Sequence, residues 1–553
     1  MKILFILPKF NRDQGLFYEK DNTTPDYNYL MPVGMPYIIA YLKRHGYEVD
    51  GLNLNHRYGR VKDVVSYTVT KTHYDIIFTG GLSSMFPVIK DIICAIRDYS
   101  PKSIIVVGGG LISAQPELTT KLLAPDYGII YEGEETALAL VQWIESGDIG
   151  PEQVRGISFL RKGVVIISPP REPIQNLDAL PYPDLDAFEY EEYADHQFTG
   201  GWNLYSREDY PRGYSIVSAR GCSAACTFCF HTTGPKYRYR SVENIMGEIK
   251  YATEKYRINF FTFLDELFSY DKERLLHFCR EFAEYQKTVP WKIEMYCNLR
   301  VDCADGEILD ALKSCGNVVI GLGLESMSPV VLKSMRKHIT PEQTKQCLEL
   351  IAERKQVPQG VYIFGDPAET LETAKETLDF IKNNPQLTRG GVFTGFIIPF
   401  PGTKIYKDGV KNGIIDDETK FIQDISCPSY NVMNFTRLSC EDFEKLKNMV
   451  YSAWHELRVR ATPVHIERGE FQGKQRISID VICPHCRAPL YYPNTGDPNM
   501  AAIPIICKEC NGRFDIVSRW AMVEHWTVKI LGFTIPRTAK GVLYAVKKRV
   551  MPD

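Results

Sequence analysis

Through the first 150 residues short apolar runs alternate with amphipathic stretches. Residues 3–7 read Ile-Leu-Phe-Ile-Leu without a polar break, as expected of a strand buried on both faces of a parallel sheet. Helical periodicity follows over 35–44, strand-like runs over 47–54 and 75–80, a second helix over 88–99, and further strands at 104–107 and 127–131. Strands alternating with helices predict parallel βα units in a doubly wound, Rossmann-like sheet over 1–150. Residues 151–212 read as a connector, with a hairpin around Gly163 and the helix-opposing run Leu180-Pro181-Tyr182-Pro183-Asp184. From residue 213 the alternation resumes. Strands are expected at 214–218, 259–264, 291–298, 318–324, 361–364 and 391–398, with helices at 242–255, 272–285, 306–314, 341–354 and 370–383. Six βα units predict a (β/α)6 partial TIM-type barrel over 213–405, whose chemistry belongs at the carboxyl ends of its strands. A helical extension (406–475), a small module (476–520) and a basic amphipathic tail (521–553) complete this α/β chain.

Composition changes little. The 553 residues are 44% hydrophobic and 24% charged with a net charge of −3, ordinary for a globular protein and no basis for bulk nucleic-acid binding. The opening Met1-Lys2-Ile3-Leu4-Phe5-Ile6-Leu7-Pro8 reads as a first strand rather than a signal peptide. No apolar run reaches the roughly 18 residues that span a bilayer. A cytoplasmic protein is the expectation.

The cysteines change the picture most. Seven of the fifteen fall into two tight clusters, which favours metal binding over disulfides. Cys222, Cys226 and Cys229 have C-x3-C-x2-C spacing at the end of the first barrel strand. Three thiolates on one loop can hold three irons of a [4Fe–4S] cube, leaving the fourth iron open for catalysis. The alternative is a structural zinc completed by His231. Cys483, Cys486, Cys507 and Cys510 form two C-x2-C pairs, the spacing of a zinc ribbon with a closed, structural zinc. A rubredoxin-like iron that passes electrons is the alternative there.

Other candidates sit where strands end. In the first domain these are Gly80, Gly81, Ser83 and Ser84, then Gly108, Gly109 and Gly110, then Glu132, Gly133 and Glu134. An open parallel sheet takes its ligand on this side, and glycine admits a close approach. No G-x-G-x-x-G follows the first strand, so a dinucleotide is not indicated. In the barrel, Asp265 and Glu266 end the second strand, and Gly321, Gly323 and Glu325 the fourth. Helix N-caps are the alternative reading of these acids. Gly365-Asp366-Pro367 and Pro399-Phe400-Pro401-Gly402-Thr403 close the fifth and sixth.

The three-cysteine loop and the barrel around it resemble the radical S-adenosylmethionine (SAM) superfamily, and the segment from Gly80 to Glu134 resembles the cobalamin-binding domain that precedes many of its members. The resemblance implies a [4Fe–4S] cluster whose open iron is chelated by SAM, and reductive cleavage to a 5′-deoxyadenosyl radical. It further implies that Asp265 or Glu266 meets the SAM ammonium, Glu325 the ribose hydroxyls and Phe228 the adenine. The D-x-H-x-x-G cobalamin motif is not reproduced. His56 and Gly59 have its spacing, but they follow the second strand and Leu54 replaces the aspartate, so His56 is read as a surface loop histidine and cobalt as lacking a protein imidazole. The implied activity is methylation of an unactivated carbon in a small-molecule or lipid-like substrate, with a flavodoxin or ferredoxin as electron donor. Oxidation, cyclisation or rearrangement without methyl transfer is the alternative, and outside enzymes an iron–sulfur electron carrier or scaffold. A methylthiotransferase is disfavoured because Cys94 is the one cysteine ahead of Cys222. The basic tail would either dock on the protein or contact the inner membrane face.

Overall fold

The computed structural model describes residues 1–10, 23–147, 150–200, 207–425, 432–471, 473–496 and 502–517. The basic tail expected over 521–553 lies outside them. Among the described residues no helix is long and apolar enough to cross a membrane.

The first sheet orders its strands β2 (Glu48–Asn53), β1 (Lys2–Leu7), β3 (Ile76–Gly80), β4 (Ile104–Gly108) and β5 (Tyr127–Ile129), all parallel. The chain order reverses between β1 and β3, and such a switch point opens a ligand crevice beyond the carboxyl ends of the strands. Ile3 to Leu7 are all buried, as the unbroken apolar run predicts. The hairpin around Gly163 forms as β6 (Ile157–Arg161) and β7 (Val164–Ile167), which add antiparallel to β5. The sheet therefore runs past the boundary expected at residue 150, because the edge of β5 needs a hydrogen-bonding partner.

Six parallel strands form the second sheet: β8 (Gly213–Ile216), β11 (Phe260–Phe263), β12 (Glu294–Leu299), β13 (Val318–Glu325), β14 (Val357–Phe364) and β15 (Val392–Phe396). Between β8 and β11, two short antiparallel strands, β9 (Ala219–Arg220) and β10 (Arg238–Tyr239), bracket the three-cysteine loop. The intervening helices start where side-chain caps place them. Ser241, Asp271, Asp305, Thr340 and Thr370 each accept a hydrogen bond from the backbone N–H three residues on, satisfying donors that a helix start leaves free. No β8–β15 pairing closes the cylinder. The β8 side is instead covered by the connector, where the Tyr190 hydroxyl donates to the Gly213 carbonyl at 2.5 Å.

Beyond the helix Cys440–Leu457, the last module starts earlier than residue 476. It comprises β16 (Arg460–Ala461), β17 (His465–Phe471), β18 (Lys474–Ile482), β19 (Pro489–Thr495), β20 (Ala502–Ile506) and β21 (Arg513–Val517). It seats on the amino-terminal ends of the barrel strands. Ile506 packs with Val319 and Val357, Asn511 donates to the Lys355 carbonyl, and the Arg389 guanidinium donates to the Cys510 carbonyl.

One apolar core runs from Ile3 and Phe5 in the first sheet to Tyr362 and Phe364 in the barrel. The register between the two is set by four buried charges. Glu132 and Glu134, just past β5, meet Arg220 and Arg238 at the root of the cysteine loop. Arg220 reaches Glu132 at 3.0 Å and Glu134 at 2.5 Å, and Arg238 reaches both Glu132 oxygens at 2.8 and 2.9 Å. Glu132 also accepts from the Ile174 N–H of the connector at 2.7 Å. Replacing Glu132 with Gln leaves two buried guanidiniums against one carboxylate, and breaking such a pair costs about 3–5 kcal/mol. A lower first transition in thermal unfolding is the expected outcome, with Glu132→Asp intermediate; unchanged melting would remove the quartet's structural role.

Candidate active site

The cysteine loop leaves β9 at Gly221, whose φ of +82° puts any Cβ 2.4 Å from the Lys236 carbonyl oxygen; only glycine lets the loop close on its returning strand. The loop is then tied to the barrel. Thr227 N–H donates to the Met335 carbonyl at 3.0 Å, Ile405 N–H donates to the Thr227 carbonyl at 3.0 Å, and Cys226 Sγ lies 3.9 Å from the Arg336 carbonyl oxygen. Phe228 packs into the apolar cluster of Val331, Met335, Ile397, Ile405 and Tyr406.

All three thiols are free; Cys222 and Cys226 are buried and Cys229 is exposed. The Cys229 thiol, by hydrogen bonding, and the Lys337 ammonium lower the Cys226 pKa to about 6, so a thiolate, the form that ligates metal, is present at neutral pH. Burial pushes Cys222 up. Cys226 and Cys229 are hydrogen-bonded to each other, and three thiols on one loop fit a cubane that keeps one iron open.

Asp265 does not face this space. It is fully buried and accepts from Ser218 N–H at 2.7 Å, Ala219 N–H at 3.0 Å and the Ser218 hydroxyl. Its two oxygens hold the strand end from which the cysteine loop departs. Neither Asp265 nor Glu266 caps a helix, since Asp271 caps the one that follows. Glu266 is the acid that reaches the loop, pairing with His231 Nδ1, while His231 Nε2 lies 3.0 Å from the Ala224 carbonyl oxygen. A Cys222, His231 and Glu266 atom each lie within 4.8 Å of one another.

Glu325 holds φ at +57°, away from helix-capping geometry; the next helix starts at Pro329. Its carboxylate takes the Lys337 ammonium at 2.6 Å. Burial lowers the Lys337 pKa, but Glu325 more than offsets this and keeps it charged. Gly321 and Gly323 make room for neighbours: a Cβ would lie 2.3 Å from the Tyr296 hydroxyl at the first and 2.4 Å from Lys337 Nζ at the second. Asp366, in the fifth strand-end loop, is buried and turned inward.

At the crevice of the first sheet the glycines serve each other. A Cβ on Gly80 would lie 2.3 Å from the Gly108 carbonyl oxygen, and one on Gly109 2.7 Å from that of Gly81. The two strand-end loops thus pack backbone against backbone, and Gly81 N–H donates to Gly108 at 3.2 Å. The result is a floor without side chains, which suits a broad flat ring. Ser83 is buried and Ser84 half-buried beside it. Gly133 accommodates Ile38. A Cβ on Gly110 would touch Leu82 at 3.4 Å and Thr232 of the cysteine loop at 3.5 Å, so floor and loop share one cleft.

His56 is buried, not on the surface. Nε2 lies 3.0 Å from the Tyr29 hydroxyl and Nδ1 3.1 Å from Glu189, so both ring nitrogens are engaged by protein.

In the ribbon, Cys483–Cys510 and Cys486–Cys507 sulfurs each stand 3.8 Å apart, and all four ligand atoms lie within 4.8 Å. A tetrahedron with metal–sulfur bonds of about 2.3 Å has edges of about 3.8 Å, whereas a disulfide needs about 2.0 Å. The spacing fits a closed four-thiolate zinc. The eight-residue β13 separates this module from the cysteine loop by about 25 Å at about 3.3 Å per residue, which removes the motive for an electron-passing iron.

Residues 216–381 match the family model of the radical SAM superfamily, and 21–141 that of the B12 binding domain. The chain thus carries a radical SAM domain behind a B12 binding domain. It is 25% identical over 421 residues to an uncharacterized methyltransferase, PH0819, of Pyrococcus horikoshii, covering 75% of this chain and 84% of that protein. It is also 25% identical over 433 residues to the anaerobic magnesium-protoporphyrin IX monomethyl ester cyclase of Rubrivivax gelatinosus, covering 76% and 72%. In fold it resembles the radical SAM methyltransferase TsrM of Kitasatospora setae, with a TM-score of 0.59 at 18% identity over 74% of this chain and 75% of that one.

Replacing Cys222, Cys226 and Cys229 together with alanine is expected to remove the roughly four irons of a reconstituted cubane and its visible absorbance, with loss of SAM cleavage. Cleavage by the triple variant would overturn the assignment. Cys507→Ser should release one zinc per chain and lower the melting temperature while leaving cluster iron in place; metal analysis of the full chain reads both.

Proposed function

We propose that the protein is a cobalamin-dependent radical SAM methyltransferase acting on an unactivated carbon of a small-molecule or lipid-like substrate. The observation that carries this reading is the shared cleft, in which the glycine floor at Gly81, Gly108 and Gly109 opens onto the cysteine loop at Thr232. The groups held there supply one-electron cleavage of SAM and a transferable methyl group.

The chain's own residues do the positioning. Cys222, Cys226 and Cys229 hold the cluster, and Asp265 fixes the strand end that launches their loop. Glu266 is placed to take the SAM ammonium, Glu325 the ribose hydroxyls with Lys337 fixing its carboxylate, and Phe228 to border the adenine. Gly321 and Gly323 let Tyr296 and Lys337 approach these groups. The Glu132–Arg220–Arg238 contacts keep the floor and loop in register. A small reducing protein such as flavodoxin or ferredoxin would deliver electrons from the cleft side, since the ribbon covers the other end of β13 and β14.

The likeness to a cyclase favours a second reading, ring formation without methyl transfer on the same scaffold. Anaerobic incubation of the reconstituted protein with SAM, cobalamin, a chemical reductant and candidate substrates separates the two. Methyl transfer releases S-adenosylhomocysteine together with 5′-deoxyadenosine, and cyclisation releases 5′-deoxyadenosine alone. Neither nucleoside would appear from an electron carrier, and that outcome would overturn the enzymatic proposal.

A further inference from the structure

The residue following β5 by two positions is a tyrosine in a conformation that suits glycine. Tyr131 has φ +64°, a left-handed backbone that costs an L-residue free energy and a glycine almost none. Nothing in its packing repays that cost. Its side chain is 48% exposed, and among the described residues it makes no ring contact and its hydroxyl has no partner. Such conformations persist where the surroundings impose them, and they gather at ligand sites.

The surroundings here are the floor and the clamp. Tyr131 N–H donates to Ser113 Oγ at 2.8 Å, and Ser113 Oγ donates to the Gly109 carbonyl at 2.9 Å. The tyrosine backbone is thus hydrogen-bonded to the glycine floor on one side. On the other its neighbour Glu132 is locked to Arg220 and Arg238. The Tyr131 backbone is therefore held at the junction of the floor and the root of the cysteine loop, with the ring exposed there. Leu82, another large apolar side chain in the strand-end loops of this domain, is 57% exposed, and it overhangs Gly110.

We infer that Tyr131 and Leu82 are the apolar walls between which a corrin ring seats on the glycine floor, with the Tyr131 ring against the macrocycle. The inference rests on the cobalamin reading of the first domain. A flat floor of backbone offers a macrocycle area but no grip. Two exposed apolar side chains at its margins supply contact that bare glycine cannot, and they exclude water from the ring. An aromatic at this strained position makes its contact in the complex.

The test follows from the strain. Tyr131→Gly removes the ring and relaxes the backbone, so a purely structural tyrosine and a ligand wall respond oppositely. The full-length chain with its iron cluster is mixed with hydroxocobalamin under anaerobic conditions. Retained corrin absorbance after gel filtration and the melting temperature of the corrin-free protein are both read. Tyr131→Gly is expected to melt no lower than wild type without corrin, to keep its cluster iron, and to bind corrin at least tenfold more weakly. Leu82→Asp should weaken corrin binding in the same direction. Should Tyr131→Gly fail to fold, Tyr131→Asn tests the same point, because asparagine tolerates the left-handed backbone. Equal corrin retention by wild type and the Tyr131 variant overturns this inference and leaves the cobalamin reading standing. Loss of corrin by wild type itself overturns both.

Discussion

The arrangement of this enzyme depends on a buried exchange of charge between its two α/β halves. Glu132 and Glu134 belong to the crevice of the first sheet, Arg220 and Arg238 to the short ribbon that brackets the cluster loop. Two positive and two negative side chains come out of water together, so no net charge is left inside. A purely apolar contact would let the halves slide at small cost, whereas displaced guanidiniums would lose their partners where water cannot replace them. The Ile174 N–H and carbonyl join the same quartet, so the connector is bound into the joint.

Ser218 extends this logic along the loop. Its N–H and hydroxyl donate to Asp265, and its carbonyl accepts from Arg274 and from Arg240 N–H. The residue before β9 is thus held from three elements, and the cluster loop starts from a fixed point. The reactive groups then require little of the loop beyond thiols and a glycine at position 221.

Much of this was legible in the chain. The strand runs and long helices of the barrel fall within a few residues of their expected limits, because buried parallel strands are continuously apolar and the five long helices each begin at a Ser, Thr or Asp cap. The cysteine spacings marked the two candidate metal sites, and the fold brings the four ribbon thiols within 4.8 Å of one another. What was hidden depends on long-range pairing. Nothing near Asp265 shows that its oxygens turn back to Ser218, forty-seven positions away in the chain. Lys337 has no signal linking it to Glu325, and His56 looked exposed because the residues that bury it, Tyr29 and Glu189, are remote. Glu132 read as a ligand residue for the same reason: a carboxylate at a strand end is ambiguous until its partner is placed. The strand-end glycines stand at the crevice as their positions suggested, but the space that Gly80 and Gly109 spare is used by each other's loop backbone.

The seat of the zinc ribbon has a bearing on the order in which the chain is made. Val319 and Val357 begin neighbouring barrel strands, yet the isoleucine that covers them is residue 506. During synthesis the apolar base of the barrel therefore stays uncovered until residue 506 has emerged, one position ahead of the second cysteine pair. Completion of the barrel's base is thus tied to folding of the four-cysteine module.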